Sequence, residues 1–319
     1  MKIINFVVIS FFITLMGCSE DKEIKPEINE LQVDINIIRF DSIFSTAKPG
    51  QLQDLKQTYP YLFNPEIPDN FWVTKMNDSL QNEIELEVQQ TFSDFEEYKM
   101  DMISFFKHLK YYFPKEHLPK VITVAEYVDY NAKVILNDDI LFISLDNYLG
   151  KDHKFYQGFK EYIASLQDPS QILPDIAEAY ANKLIIYPSS RNFLSQIIYN
   201  GKLLYFKETL LPLVDEHRLI GYSEDQLQWA QQEEVMIWQY FIQKELLYSS
   251  DSDLRRRFIE KAPFTKFYLE IDNETPPRLG QYIGWQIVKA YAEKFPEKEI
   301  DDIIATDYQE IFDDSNYKP

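Results

Sequence analysis

One cysteine, four histidines and eight glycines in 319 residues set narrow limits on the chemistry available to this chain. A single cysteine, Cys18, cannot close a disulfide within the chain, so stability has to come from packing. The histidines, His108, His117, His153 and His217, include no pair one helical turn apart, which excludes the two-imidazole H-E-x-x-H site of zinc hydrolases. None stands beside a G-x-S-x-G nucleophile turn, and neither a P-loop nor G-x-G-x-x-G occurs. The scarcity of glycine argues for a mainly helical body. Positive charge is also in deficit: 32 Lys and Arg face 52 Asp and Glu, a net charge of −20. Such a surface repels nucleic acid and anionic headgroups alike. Carboxylates are so abundant that neighbours such as Glu233-Glu234 and Asp138-Asp139 read as solvated faces or turns rather than acid/base pairs. The residues by themselves present no enzyme site, no cofactor site and no metal ligand set.

What is present begins at the N-terminus. Lys2 precedes an apolar run from Ile3 to Met16, broken only by Asn5, Ser10 and Thr14, which has signal-peptide length and is short for a bilayer span. Leu15-Met16-Gly17-Cys18 resembles the lipobox of bacterial lipoproteins. It implies removal of residues 1–17 and acylation of Cys18, and two or three acyl chains at about 0.8 kcal/mol per buried methylene anchor a protein firmly. Residues 18–30 are polar and charged, and read as a lipidated tether. Their start, Ser19-Glu20-Asp21, resembles short acidic signals that direct lipoproteins to the cell surface. Residues 31–319 are expected to form one globular domain, with a small sheet in about 31–150 and a helical part in about 151–319.

Within that domain, Leu31, Val33, Ile35 and Ile37 alternate with polar residues and predict a half-buried strand running into Arg39-Phe40-Asp41. Residues 42–118 read as helical in pieces, with Phe95, Tyr98, Met102 and Phe105 on one face. Val121–Val124, Lys133–Leu136 and Ile140–Leu145 read as strands, with a hairpin turn at Asn137-Asp138-Asp139. Helices are predicted from Pro174 to about Tyr187, from about Arg191 to Phe206, and from Ser223, which with Gln226 has capping-box spacing, to about Tyr248. A fourth follows Thr275-Pro276-Pro277. On it Gly280 and Gly284 share a face and admit either a close helix or a ligand. On the third, Leu227, Ala230, Glu234, Trp238, Phe241, Glu245 and Tyr248 form one stripe, so Glu234 and Glu245 would be buried among aromatics. Each would need Lys202, Arg278 or a ligand as partner. A structural salt bridge and a pocket near Glu234, Trp238 and Trp285 are both compatible with that pattern.

Several segments resemble the gliding-motility lipoprotein GldB family of the Bacteroidota: Tyr199-Asn200-Gly201-Lys202-Leu203-Leu204-Tyr205-Phe206, Gly221-Tyr222-Ser223 through Trp229 to Trp238, and Leu246-Leu247-Tyr248-Ser249-Ser250-Asp251. Ala262-Pro263-Phe264-Thr265-Lys266-Phe267, the run Pro277 to Val288, the lipobox and Ile38-Arg39-Phe40-Asp41 agree with it as well. The resemblance implies a lipid-anchored protein of the cell envelope, at the outer membrane, whose partners are the membrane and other proteins of the gliding or secretion machinery. A more distant similarity, to predicted zinc proteases, implies a zincin-like scaffold without an intact metal site. Glu178 and Asn182 stand where its histidines would be, Ala179 where its general base would be, and Asn200 where its glutamate ligand would be. None of these can form a normal zinc site or activate water. The expectation is an α+β, mainly helical pseudo-protease that acts by protein interaction. The alternatives are a hydrolase with an atypical site and a ligand-binding envelope lipoprotein, with Glu178, Asn182, Asn200, Glu234, Trp238 and Trp285 as the candidate pocket.

Overall fold

The computed structural model describes residues 24–137 and 139–319, so the signal run, the lipobox with Cys18, and Asp138 of the predicted hairpin turn lie outside the described residues. Helix α1 (Pro26–Glu30) is the first element of the described residues. Residues 26–30, expected to belong to a free tether, are instead packed down. Ile28 is buried, Lys107 Nζ donates to the Asn29 carbonyl at 2.7 Å, and the Lys25 ammonium sits 5.1 Å and 5.3 Å from the Tyr111 and Tyr112 ring centres. The buried Ile28, the Lys107 bond and the Lys25 contacts together dock it.

Strand β1 (Ile37–Arg39) is shorter than the alternation suggested. Residues 31–35 keep the alternating burial but have no ladder, because the neighbour of β1, β2 (Lys120–Val124), begins only opposite Asn36, whose carbonyl accepts from the Val121 amide at 2.9 Å. Between these strands run α2 (Phe40–Thr46), α3 (Leu52–Thr58), α4 (Asp69–Asn77), α5 (Ser79–Thr91) and α6 (Glu96–Tyr112). β3 (Val134–Leu136) and β4 (Ile140–Ser144) form an antiparallel hairpin, and the sheet order is β1-β2-β4-β3 with β1, β2 and β4 parallel. Asn137 Oδ1 accepts from the Ile140 amide at 2.8 Å, an Asx turn that starts β4. The side chains of β2 and β4 alternate between two cores. Val121, Leu141 and Ile143 face the large one, and Ile122 and Phe142 face a smaller one built from Phe40, Phe44, Leu52, Phe63 and Met76. Covering on both faces explains why these strands read as nearly continuous apolar runs. At the end of β1, Arg39 clamps Asp41 through two bonds of 3.0 Å and 2.8 Å and donates to the Phe92 carbonyl, which ties α2 to α5.

The rest is helical: α7 (Glu161–Ala164), α8 (Ile172–Leu184), α9 (Phe193–Leu210), α10 (Glu216–Ile220), α11 (Glu224–Gln232), α12 (Glu234–Gln243), α13 (Asp253–Phe258), α14 (Leu279–Lys294), α15 (Ile300–Ala305) and α16 (Tyr308–Ser315). This is the mainly helical α+β architecture expected, and no described helix is long and apolar enough to cross a membrane. The large core draws on both parts of the chain, from Val121 and Leu141 to Ile197 and Trp285.

α9 and α14 lie backbone to backbone. A Cβ on Gly284 would strike the Ile197 carbonyl, one on Gly201 would strike the Gly284 carbonyl, and one on Gly280 would come to 2.8 Å from the Phe258 carbonyl oxygen. The close approach read from the glycine spacing therefore belongs to helix packing. The single long helix expected from Ser223 to Tyr248 is two. It breaks at Glu233 (φ −99°, ψ 7°), and α12 stops at Gln243. Glu245 then takes a left-handed backbone (φ 54°) and is exposed, so it leaves the buried stripe. Apolar spacing at 3.6 continues through both breaks, which is why periodicity missed them.

Candidate functional site

The six residues singled out as a pocket are divided among separate networks. On α8, Glu178 pairs with Lys207 Nζ at 3.3 Å, while Asn182 donates to the Glu178 carbonyl at 2.9 Å and accepts from Tyr199 Oη at 3.2 Å. On α9, Asn200 donates to the Gln196 carbonyl of its own helix. Burial would raise the Glu178 pKa, but Lys207, Lys261 and Arg278 outweigh it and hold the carboxyl below its ordinary range. Among the described residues no three of His, Cys, Asp and Glu gather as a group able to hold a metal ion.

Glu234 has neither Lys202 nor Arg278 as partner. Its two oxygens accept from Tyr282 and Tyr317, each at 2.7 Å, and Trp238 packs edge-on against Tyr317 with ring centres 5.1 Å apart. Two hydroxyls satisfy a half-buried carboxylate without a counter-ion. Lys202 instead donates to the carbonyls of Ile304 and Thr306, at the end of α15. Trp285 is fully buried in a third network, with Nε1 donating to Glu208 at 2.9 Å and Lys289 bridging Glu208 (3.2 Å) and Glu216 (2.7 Å).

A cleft of about 1020 Å³ lies elsewhere, and none of those six residues lines it. One wall is the segment from Lys151 to Gln171, and the other is the α10–α11 turn with Lys261-Ala262-Pro263 and Pro277-Arg278. Local chemistry explains the second wall. Gly221 ends α10 in the left-handed conformation (φ 70°), with its amide and that of Tyr222 returning to the Arg218 and His217 carbonyls as in a Schellman cap. Ser223 and Gln226 then form the capping box read from their spacing and open α11. Tyr222 is buried, with its hydroxyl donating to the Pro277 carbonyl.

Arg278, at the start of α14, is itself left-handed (φ 59°). Its Nη2 donates to the Gly221 carbonyl at 3.0 Å, and its guanidinium lies 5.7 Å from the Tyr222 ring centre. Burial pulls the Arg278 pKa down, opposed by Tyr222 and Glu178. Behind Leu166, Lys133 donates to the Leu166 carbonyl at 2.8 Å and pairs with Asp175 at 2.6 Å, and the fully buried Tyr148 shares that carboxylate at 2.8 Å. The cleft is lined by the exposed Lys151, Lys160, Arg218 and Lys261, the half-buried Arg278, and the carboxylates Glu161, Asp168, Glu224 and Asp225. It suits a ligand with a localised negative charge.

Sequence reasoning missed this place because its walls come from four distant stretches, and Arg278 was considered only as a partner for Glu234. A signal was nevertheless available. Gly221-Tyr222-Ser223, Ala262-Pro263 and Pro277-Arg278, all within segments that carry the family resemblance, meet here.

Compared with known families, residues 21–319 match the family described as gliding motility protein GldB. No curated protein and no solved structure matches the chain. The similarity to zinc proteases therefore has no support from these comparisons, whereas the family match runs almost from end to end, and the chain belongs to the gliding motility protein GldB family.

Proposed function

We propose that this protein is an envelope-anchored lipoprotein of the gliding machinery, held at the outer membrane through Cys18, and that it works by binding another protein rather than by catalysis. The observation that carries the reading is the family match over residues 21–319. The non-catalytic part is supported by the fate of the protease-like positions. Glu178 is engaged by Lys207, Asn182 and Asn200 by their own helices and Tyr199, and Ala179 has no titratable group. The anchoring is supported by the lipobox and by the polar residues 19–23 that lead from it to the docked helix α1.

The test is complementation of a strain lacking the gene. Cys18→Ala is expected to abolish palmitate-analogue labelling, move the protein out of the membrane fraction and impair movement over surfaces. A double change, Asn182→Ala with Asn200→Ala, is expected to restore movement fully. Labelling that persists in the cysteine variant would overturn the anchor. Loss of movement in a stably folded asparagine variant, or one zinc per chain in the wild type by elemental analysis, would revive the hydrolase alternative.

A further inference from the structure

In a chain with 52 acidic side chains, buried or half-buried cations commonly sit on carboxylates. Lys133 holds Asp175, Lys207 holds Glu178, and Lys289 holds both Glu208 and Glu216. The cleft departs from this, as do the buried Lys202 and Arg257, but those two are held by carbonyl and hydroxyl oxygens on two of their donors each. Arg278 lines it half-buried, spends one donor on the Gly221 carbonyl, and among the described residues has no carboxylate within ion-pair distance. Among the described residues its Nε and Nη1 have no protein acceptor. Lys261, exposed on the same wall, has no carboxylate partner either, and both groups act on the Glu178 carboxylate from nearby. Desolvating a guanidinium without a counter-ion is costly, and a bound anion removes the cost.

We propose that this cleft binds an acidic peptide segment of a partner protein, one of its carboxylates seated on the Arg278 guanidinium beside the Lys261 ammonium. The planar guanidinium offers paired N–H donors that match a carboxylate. A cleft of about 1020 Å³ is far larger than a lone inorganic anion requires and has room for several residues of chain. Leu166, Ala262, Pro263 and Pro277 give it apolar wall for neighbouring side chains. The lining carboxylates Glu161, Asp168, Glu224 and Asp225 alternate with the exposed cations Lys151, Lys160 and Arg218 and repel a continuous polyanion, so the ligand sets a carboxylate against the half-buried Arg278 rather than a phosphate array. This deepens, and rests on, the reading that the protein acts by binding another protein.

The experiment uses the purified full chain in neutral detergent and a randomised library of capped hexapeptides, with the retained sequences remade as fluorescent probes. The expected result is enrichment of Glu or Asp at one or two positions. Affinity should fall at least 10-fold in Arg278→Gln and about 3-fold in Lys261→Gln, and should not change in Lys294→Gln. If Arg278→Gln fails to fold, as shown by its near-UV circular dichroism, Lys261→Gln decides alone. No acidic enrichment, enrichment indifferent to the cleft variants, or displacement of the probes by equimolar inorganic phosphate would each overturn the proposal. A deletion strain that still glides would instead remove the motility role and leave the peptide binding standing.

Discussion

The seam between α9 and α14 and the cleft at the start of α14 share one helix and are built on opposite terms. In the seam the side chains have been reduced to nothing at Gly201, Gly280 and Gly284, so that backbones and aromatic walls such as Trp285 and Tyr282 close without gaps. In the cleft, one turn earlier, large charged side chains line open space and Arg278 lacks a carboxylate partner. The first region is determined by shape and the second by charge. Added volume should therefore damage the seam, while lost charge should alter the cleft with little effect on stability.

The largest effect is expected from Gly284→Leu. A Cβ alone would already collide with the Ile197 backbone, so the helices must separate, at a cost at or above the upper end of the usual overpacking range of about 1–3 kcal/mol. Urea unfolding should show that loss or an insoluble protein. A variant with the parental midpoint would show that the close approach is not needed.

Next comes a buried cation inside the packed region. Burial, partly opposed by Asp307, pushes the Lys202 pKa down from 10.5 to about 8. Between these values the unfolded chain binds more protons than the folded one, so stability should rise as pH is raised from about 8 to 10.5. The gain is at most about 3 kcal/mol at 1.36 kcal/mol per pKa unit. The carbonyls of Ile304 and Thr306, which favour the ammonium, reduce it. Denaturation of the parent and Lys202→Met across that range should show a more positive slope in the parent, the difference being the Lys202 contribution on top of the buried tyrosines, whose raised pKa values act in the opposite direction in both proteins.

A smaller effect is expected beside the seam. Gln281 is on a different face from the glycines, yet its Nε2 donates to the Ile259 carbonyl at 2.8 Å. Gln281→Leu should therefore cost about 1 kcal/mol, the net worth of one hydrogen bond, instead of being neutral. The smallest effect belongs to the cleft. Lys261→Gln should leave the unfolding midpoint within about 0.5 kcal/mol of the parent, as surface changes do, while weakening peptide binding. A destabilisation as large as that of Gly284→Leu would make the two regions alike and cancel the contrast.

Much of the scaffold was legible because local rules govern it. The short apolar runs at 121–124 and 140–145 identified β2 and β4, the Ser223–Gln226 spacing identified the start of α11, and the glycine pair identified a close contact. The breaks at Glu233 and Gln243 were not legible, since the apolar period runs through them. Nor was the docking of residues 26–30, which depends on where α6 lies. The site was less legible than the fold: Glu234 was rightly marked as needing a partner, but its partners are Tyr282 and Tyr317, the latter 83 positions away.

By itself the sequence determined the helical bias, the two-sided strands, the acidic surface and the absence of a histidine-based zinc motif, because each follows from residue type and short-range spacing. Only the tertiary structure decided that α12 is separate, that five of the six suspected pocket residues serve three networks while Asn200 bonds to its own helix, and that Gly221, Lys261 and Arg278 border one cleft. Those outcomes depend on which carbonyls, hydroxyls and charges come within a few ångströms after the chain has packed, and distance in space is not encoded in the spacing along a chain.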